Sequence, residues 1–375
     1  MRTLRSTLAR SLVVAAMASV ALGSIAQAGT PTTLKDPGRI ASGDLDQISM
    51  AVDSAGKVHI AALRPTGNLV YLTDRTGSWT ERVVAHNHIP GGVGFIWQEP
   101  SLALDENDRV TIAAVKTDWG GTGCDCTAGI FSFSDKGRAR GTFPSTGTKR
   151  VGSGTHAPSL KTANGHLYLA YRSGATNPEQ PAKIRFKTNA TGTWTDTVVK
   201  SFAYDPAAPA LRIGDDGKAR IAFDTATGIW FATAGSLSGA WSVEKVPSTS
   251  GRDAGVALSL ASTGKPAIAW VRSGSATDGI RYATKPAATW TTQLVTGHVG
   301  QVALSLDASN RPFLAVADDA GADAGLWTYA GDTFIEDELY GPKAWSPQVR
   351  IAGSGIVSLA FVSPVAPKGL YLSQD

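Results

Sequence analysis

Two short phrases alternate along this chain, each returning at a nearly fixed interval. The first is a pair of apolar runs around a Gly-type turn. It reads ISMAVDSAGKVHIAALR from Ile48, SLALDENDRVTIAAVK from Ser101, PSLKTANGHLYLAYR from Pro158 and PALRIGDDGKARIAFD from Pro209. It returns as ALSLASTGKPAIAWVR from Ala257, ALSLDASNRPFLAVAD from Ala303 and QVRIAGSGIVSLAFVS from Gln348. Turn anchors at Gly56, Asp108, Gly165, Gly217, Gly264, Asn310 and Gly355 lie 52, 57, 52, 47, 46 and 45 residues apart. The second phrase, clearest as YLTDRTGSWTERVV, FKTNATGTWTDTVV and YATKPAATWTTQLV, supplies two further strands per unit. A period of about 50 residues with four strands per unit predicts an all-β fold, a seven-bladed β-propeller of four-stranded blades.

Within a unit, apolar residues alternate with small or polar ones, as in Ile48, Met50 and Val52, which suits a strand on a packed blade. The Asp-x-x-Gly turns combine side-chain hydrogen bonding with tolerance of positive φ. Each fourth strand opens on an aromatic: Trp79, Phe143, Trp194, Trp241, Trp290 and Phe334. One large apolar wedge per blade is what packing on a neighbour requires, so this column reads as core and not as a ligand stack. The seventh unit stops at Asp375 after three strands. Thr30–Lys35 resembles Thr289–Leu294 at the start of a fourth strand, so an N-terminal strand is expected to complete the last blade and close the ring. The expected organisation is a single propeller domain over residues 29–375.

Residues 1–28 read as a secretory signal peptide: Arg2, Arg5 and Arg10, an apolar run from Leu12 to Leu22, then Ala26-Gln27-Ala28 as the cleavage site. The run is too short to span a membrane, and no later stretch approaches the ~20 residues a span needs. Removing the three leader arginines lowers the formal charge from +4 to +1. That balance offers no basic face for nucleic acid. A secreted monomer, periplasmic or extracellular, is the expectation.

In a repeat protein the shared residues build the scaffold, and departures mark where a site is grafted. Three connections depart, all expected on one face: Ala85–Glu99 and Lys116–Gly129 in blade two, and Arg172–Ala182 in blade three. They carry His86, His88, Trp97, Glu99, Asp118, Trp119, Cys124, Asp125 and Cys126. A second departure is the column at the ends of the second strands: Arg64, Lys116, Arg172, Asp224, Arg272, Asp318 and Ser363. These positions are equivalent in a closed ring, and Arg offers planar, bidentate donors to a carboxylate or sulfate; solvated strand ends are the plain alternative. Cys124 and Cys126 are expected to form a disulfide in an oxidising compartment. The alternative joins them to His86 and His88 as a zinc or copper ligand set; otherwise no cofactor is expected. Glu99, Asp118, Asp224 and Asp318 are the acid–base candidates. No G-x-S-x-G, H-E-x-x-H or phosphate-binding Gly loop occurs.

The turns Thr73–Trp79 and Thr188–Trp194 resemble the Asp-box (BNR) repeats of sialidases and related secreted propellers, with one additional residue between the Asp or Asn and the Gly. In that family the boxes are structural hairpins away from the active site. The resemblance also implies an arginine triad for a substrate carboxylate, onto which Arg64, Arg172 and Arg272 map by register. Two functions follow. One is a secreted binding module that takes a saccharide or protein partner through Arg64, Trp97, Lys116, Trp119, Arg172 and Arg272. The other is a glycan-degrading enzyme, hydrolase or lyase, that uses the axial ring of arginines and carboxylates.

Overall fold

The computed structural model describes residues 37–375 apart from 89–93, 120–127, 153, 175–180, 204–206, 237–238, 275–277, 319–323, 332, 341–342 and 366. Their 28 strands form seven four-stranded antiparallel sheets, and no helix occurs among them. In six sheets the strands lie in chain order from the axis outward. The seventh places Gly38–Ser42 outermost, against Gly369–Gln374. Ring closure by an N-terminal strand is therefore as expected. The closing strand begins at Gly38, however, and Thr30–Lys35 lies outside the described residues.

The innermost strands are Asp46–Val52, Gly94–Leu104, Thr155–Ala163, Ala210–Ile213, Asp253–Leu260, Gly300–Leu306 and Trp345–Ile351. Each runs into a turn whose anchor has positive φ: Gly56 (79°), Asp108 (56°), Gly165 (73°), Gly217 (72°), Gly264 (75°), Asn310 (64°) and Gly355 (92°). Gly, Asn and Asp are the residues that reach this region at least cost. All seven anchors recognised in the sequence are thus positions where the chain needs them. The Asp-box-like turns are tied back to the sheet: Asp74 accepts from the Val58 N–H at 2.8 Å, and Asn189 from the Leu167 N–H at 2.8 Å.

The second strands read as near-continuous apolar runs because both of their faces are covered. In Val58–Leu63 every residue is buried. In blade two, Val110, Ile112 and Ala114 pack toward blade one, while Ala113 and Val115 pack toward blade three. The hydrophobic core is accordingly divided into seven clusters, one at each junction between neighbouring blades. The aromatic wedges seat in these junctions. Phe143 meets Tyr71 edge-on at 5.3 Å, Trp241 meets Phe186 at 5.2 Å, Trp290 meets Phe231 at 5.6 Å and Phe334 meets Tyr282 at 5.5 Å. Trp79 packs against the junction of blades seven and one. Trp194 departs from the core expectation. It is 38% exposed and lies beneath the Arg150 guanidinium (5.2 Å) and the Lys187 ammonium (5.7 Å), a surface cation–π arrangement.

Polar latches join the innermost strands to one another. The hydroxyls of Ser49, Ser101 and Ser159 accept from the N–H groups of Leu102, Leu160 and Leu211 on the next blade, at 2.9, 2.9 and 3.0 Å. Nearer the start of these strands, five blades carry a bulge with a positive-φ residue: Gln47, Glu99, Ala157, Gly255 and Ser346. The bulged N–H of Glu99 bonds Gln47 Oε1 (2.7 Å), that of Ala157 bonds Glu99 Oε2 (2.6 Å), and that of Ser346 bonds Gln301 Oε1 (2.6 Å). An innermost strand is a sheet edge whose N–H groups would otherwise face the axis unpaired. The latches satisfy those of Glu99, Leu102, Ala157, Leu160, Leu211 and Ser346.

Candidate functional site

Where the seven innermost strands meet they leave an axial cavity of about 230 Å³, lined by residues from every blade. Pro100, Pro158 and Pro209 stand on its wall, the edge position in which a missing N–H costs no ladder bond. Two residues beyond the serine latches is another column in register: Ala51, Ala103, Lys161, Arg212, Ser259, Ser305 and Arg350. Lys161, Arg212 and Arg350 line the cavity, and no carboxylate does. Burial, then the charges of Arg212 and Arg350, holds the Lys161 ammonium well below its ordinary range. Burial, then Arg350, pushes Arg212 down to about 9, and burial alone pushes Arg350 to about 10. The sequence carried a signal for this cluster in S-L-K-T, A-L-R-I and Q-V-R-I set against A-L-S-L. An innermost strand with a long cation every few blades breaks the small-and-apolar pattern.

The column at the ends of the second strands lies one strand further out, and none of its members lines this cavity. Arg64 turns to the carboxylate of Glu81 and donates to the carbonyl of Ser42 at 2.8 Å, so it ties blade one to the closing strand. Arg272 grips Asp253 with Nε and Nη2 at 2.8 and 3.0 Å; Asp253 also accepts from the Trp270 indole at 2.7 Å. Asp318 bonds His298 at 2.9 Å. Arg172 is half-buried and paired in register with His156. Arg64 and Arg272 are thus committed to separate partners on separate blades.

Blade two holds most of the remaining candidates. Lys116 places its ammonium 4.1 Å from the Phe95 ring centroid and 3.0 Å from Asp118. Trp97, expected to contact a saccharide or protein partner, is only 6% exposed. It sits edge-on to Phe95, Phe131 and Phe133 and donates its indole N–H to the His86 carbonyl at 3.0 Å. The reason is position: its blade-one neighbours close over it in the junction core. Glu99 is spent on the latch to Ala157, with His156 Nδ1 3.8 Å away. Trp119 ends its strand at a backbone pair with Gly94. His86 and His88 are exposed, and His88 forms a backbone bridge with Phe95. Cys124, Asp125 and Cys126, and with them the disulfide and the thiol half of the metal set, lie outside the described residues. Among the described residues no group of three or more His, Cys, Asp or Glu is arranged to hold a metal.

Asp224 differs from the other carboxylates. It is the penultimate residue of the second strand of blade four, Ala219–Thr225, is 6% exposed, and accepts from the backbone N–H of Gly255 on blade five. Its Oδ1 is buried without a hydrogen-bond partner among the described residues. Desolvation, only partly offset by backbone hydrogen bonds, raises its pKa to about 6. A carboxyl with this behaviour carries a proton at mildly acidic pH and can give it up near neutrality. Trp345, at the start of the innermost strand of blade seven, is 51% exposed. It supplies an open aromatic face.

No protein family model matches the chain, and no curated protein does. Solved structures share its architecture. A polysaccharide lyase of family PL25, an ulvan lyase, superimposes with a TM-score of 0.61 at 13% identity, over 90% of this chain and 95% of the other. The Penicillium chrysogenum α-L-arabinanase solved with arabinobiose gives 0.52 at 10% identity, over 92% and 98%. The Fusarium graminearum α-L-arabinofuranosidase Arb93A gives 0.51 at 12%, over 91% and 98%. At these identities the likeness is one of fold. The chain is a seven-bladed β-propeller whose structural neighbours include glycoside hydrolases and polysaccharide lyases.

Proposed function

We propose that this chain is a secreted glycan-degrading enzyme, with its substrate across the face where the innermost strands begin. Asp224 is the proton-transfer group in this reading. The observation that carries it is the Asp224 carboxyl, which is buried at a blade junction, has one oxygen unpartnered, and is shifted to about 6. A carboxylic acid kept protonated into the mildly acidic range can donate to a leaving glycosidic oxygen as its bond to carbon breaks. Trp345 offers a stacking face for a sugar ring. The neighbours that act on ulvan, arabinan and arabinofuranosides support the class without naming the polymer. Secretion rests on the leader at residues 1–28.

The test is incubation of the purified protein with uronate-containing and arabinose-containing polysaccharides. New reducing ends are read in parallel with the ultraviolet absorbance of an unsaturated product. Turnover that Asp224→Asn reduces by about 10²-fold or more, with folding intact, supports the assignment. Turnover unchanged in Asp224→Asn removes Asp224 from the chemistry, and no turnover of any polymer removes the enzyme. The exposure of Trp345 favours one second reading, a saccharide-binding module. That reading expects saturable retention by a glycan without turnover, lost in Trp345→Ala.

A further inference from the structure

We propose that Lys161, Arg212 and Arg350 form a binding site for a small oxyanion, of the sulfate or phosphate type, on the axis of the propeller. The site lies apart from Asp224, and the proposal does not depend on the glycan-degrading reading. Its first support is geometric. Seven equivalent positions surround the axis at this level, and four of them hold only Ala51, Ala103, Ser259 and Ser305. The three long cations, from blades three, four and seven, line the cavity, and the four small residues do not.

The second support is the lack of an internal counter-charge. No carboxylate lines the cavity. Arg212 donates Nη1 to the Leu211 carbonyl at 3.0 Å; Arg350 donates Nη1 to the Val349 carbonyl at 2.7 Å and Nη2 to Gln348 Oε1 at 3.3 Å. A guanidinium has five N–H donors, so each keeps donors in excess of these bonds. Like charges held together in a partly desolvated cavity oppose folding unless something offsets them. Burial lowers all three groups, and the neighbouring cations add to it at Lys161 and Arg212. An oxyanion reverses its sign, because Arg forks and an ammonium match several oxygens at once. Bound there, it would bridge three blades and act as a pin through the ring.

Thermal unfolding at constant ionic strength, with chloride replaced stepwise by sulfate or by phosphate, tests this. The intact protein is expected to gain about 3 °C, saturably. Arg212→Met and Lys161→Met, which keep an apolar stem, are expected to lose that gain. In chloride alone they should melt at or above the intact protein, because repulsion has been relieved. Lys136→Met, a surface charge removal, should keep the full response. A sulfated monosaccharide forms the second arm: a larger gain than with inorganic sulfate assigns the site to a sulfate ester, and a gain with the inorganic ion alone assigns it to the free anion. Absence of a saturable gain in the intact protein overturns the site. So does an undiminished gain in Arg212→Met.

Discussion

At the scale of single residues, burial decides which charges this propeller keeps. His59 and Asp53 approach to 3.2 Å with both side chains almost fully buried. Burial nevertheless lowers the histidine, with Asp53 only partly restoring it. The pair is therefore a neutral imidazole that donates Nε2–H to Asp53 and accepts the Tyr71 hydroxyl at 2.5 Å. Asp224 shows the opposite direction, a carboxyl driven upward by burial that its backbone hydrogen bonds only partly offset. A carboxyl raised from 3.8 to about 6 stabilises the fold fully below about pH 4 and loses that contribution as pH rises through 6. The whole change is about 3 kcal/mol, at 1.36 kcal/mol per pKa unit. Denaturant unfolding of Asp224→Asn at pH 4 and pH 8 should show the variant gaining on the intact protein by that amount at pH 8. Equal gains at both values would mean that the side chain is not desolvated in solution.

Elements carry the next level of decision, above all the aromatic wedge at or ahead of the fourth strand in six blades, Phe143 standing well ahead of its strand Thr148–Val151. Six positions share the sequence pattern, yet five wedges enter a junction and Trp194 lies on the surface. Trp241 packs on Phe186 and bonds Thr197 Oγ1 at 3.4 Å. Trp241→Ala should cost about 3 kcal/mol by opening a cavity in the blade three–four core, whereas Trp194→Ala should cost about 1 kcal/mol or less. Urea denaturation of the two variants compares them directly, and equal losses would contradict the burial difference. The bulged starts of the innermost strands belong to this scale too. They convert Glu99 from a candidate acid into a latch, because a positive-φ residue turns its N–H toward the preceding blade.

For the whole molecule, the decisive contact is the one between its ends. Gly38, Arg39, Ala41 and Ser42 pair with Leu372, Tyr371, Leu370 and Gly369, and Ile40 and Ala41 cover the junction of blades seven and one. Deleting residues 1–42 exposes the Gly369–Gln374 edge and uncovers that core. The melting temperature should fall by about 10 °C, with association of the exposed edges. An unchanged melting temperature would show that the ring holds without its clasp. The repeat by itself determined the number of blades, the four strands in each and the turn anchors, because turn chemistry and strand alternation are local properties written into every unit. It also determined that an N-terminal strand closes the ring, which among the described residues is Gly38–Ser42. Tertiary structure alone decided the site. Which column faces the axis depends on how the blades pack. The cations at the strand ends that looked axial in the sequence lie one strand out, while Lys161, Arg212 and Arg350, inconspicuous within their strands, meet at the centre. Burial of Trp97 comes from blade one, about 50 residues back along the chain, where no local pattern can register it.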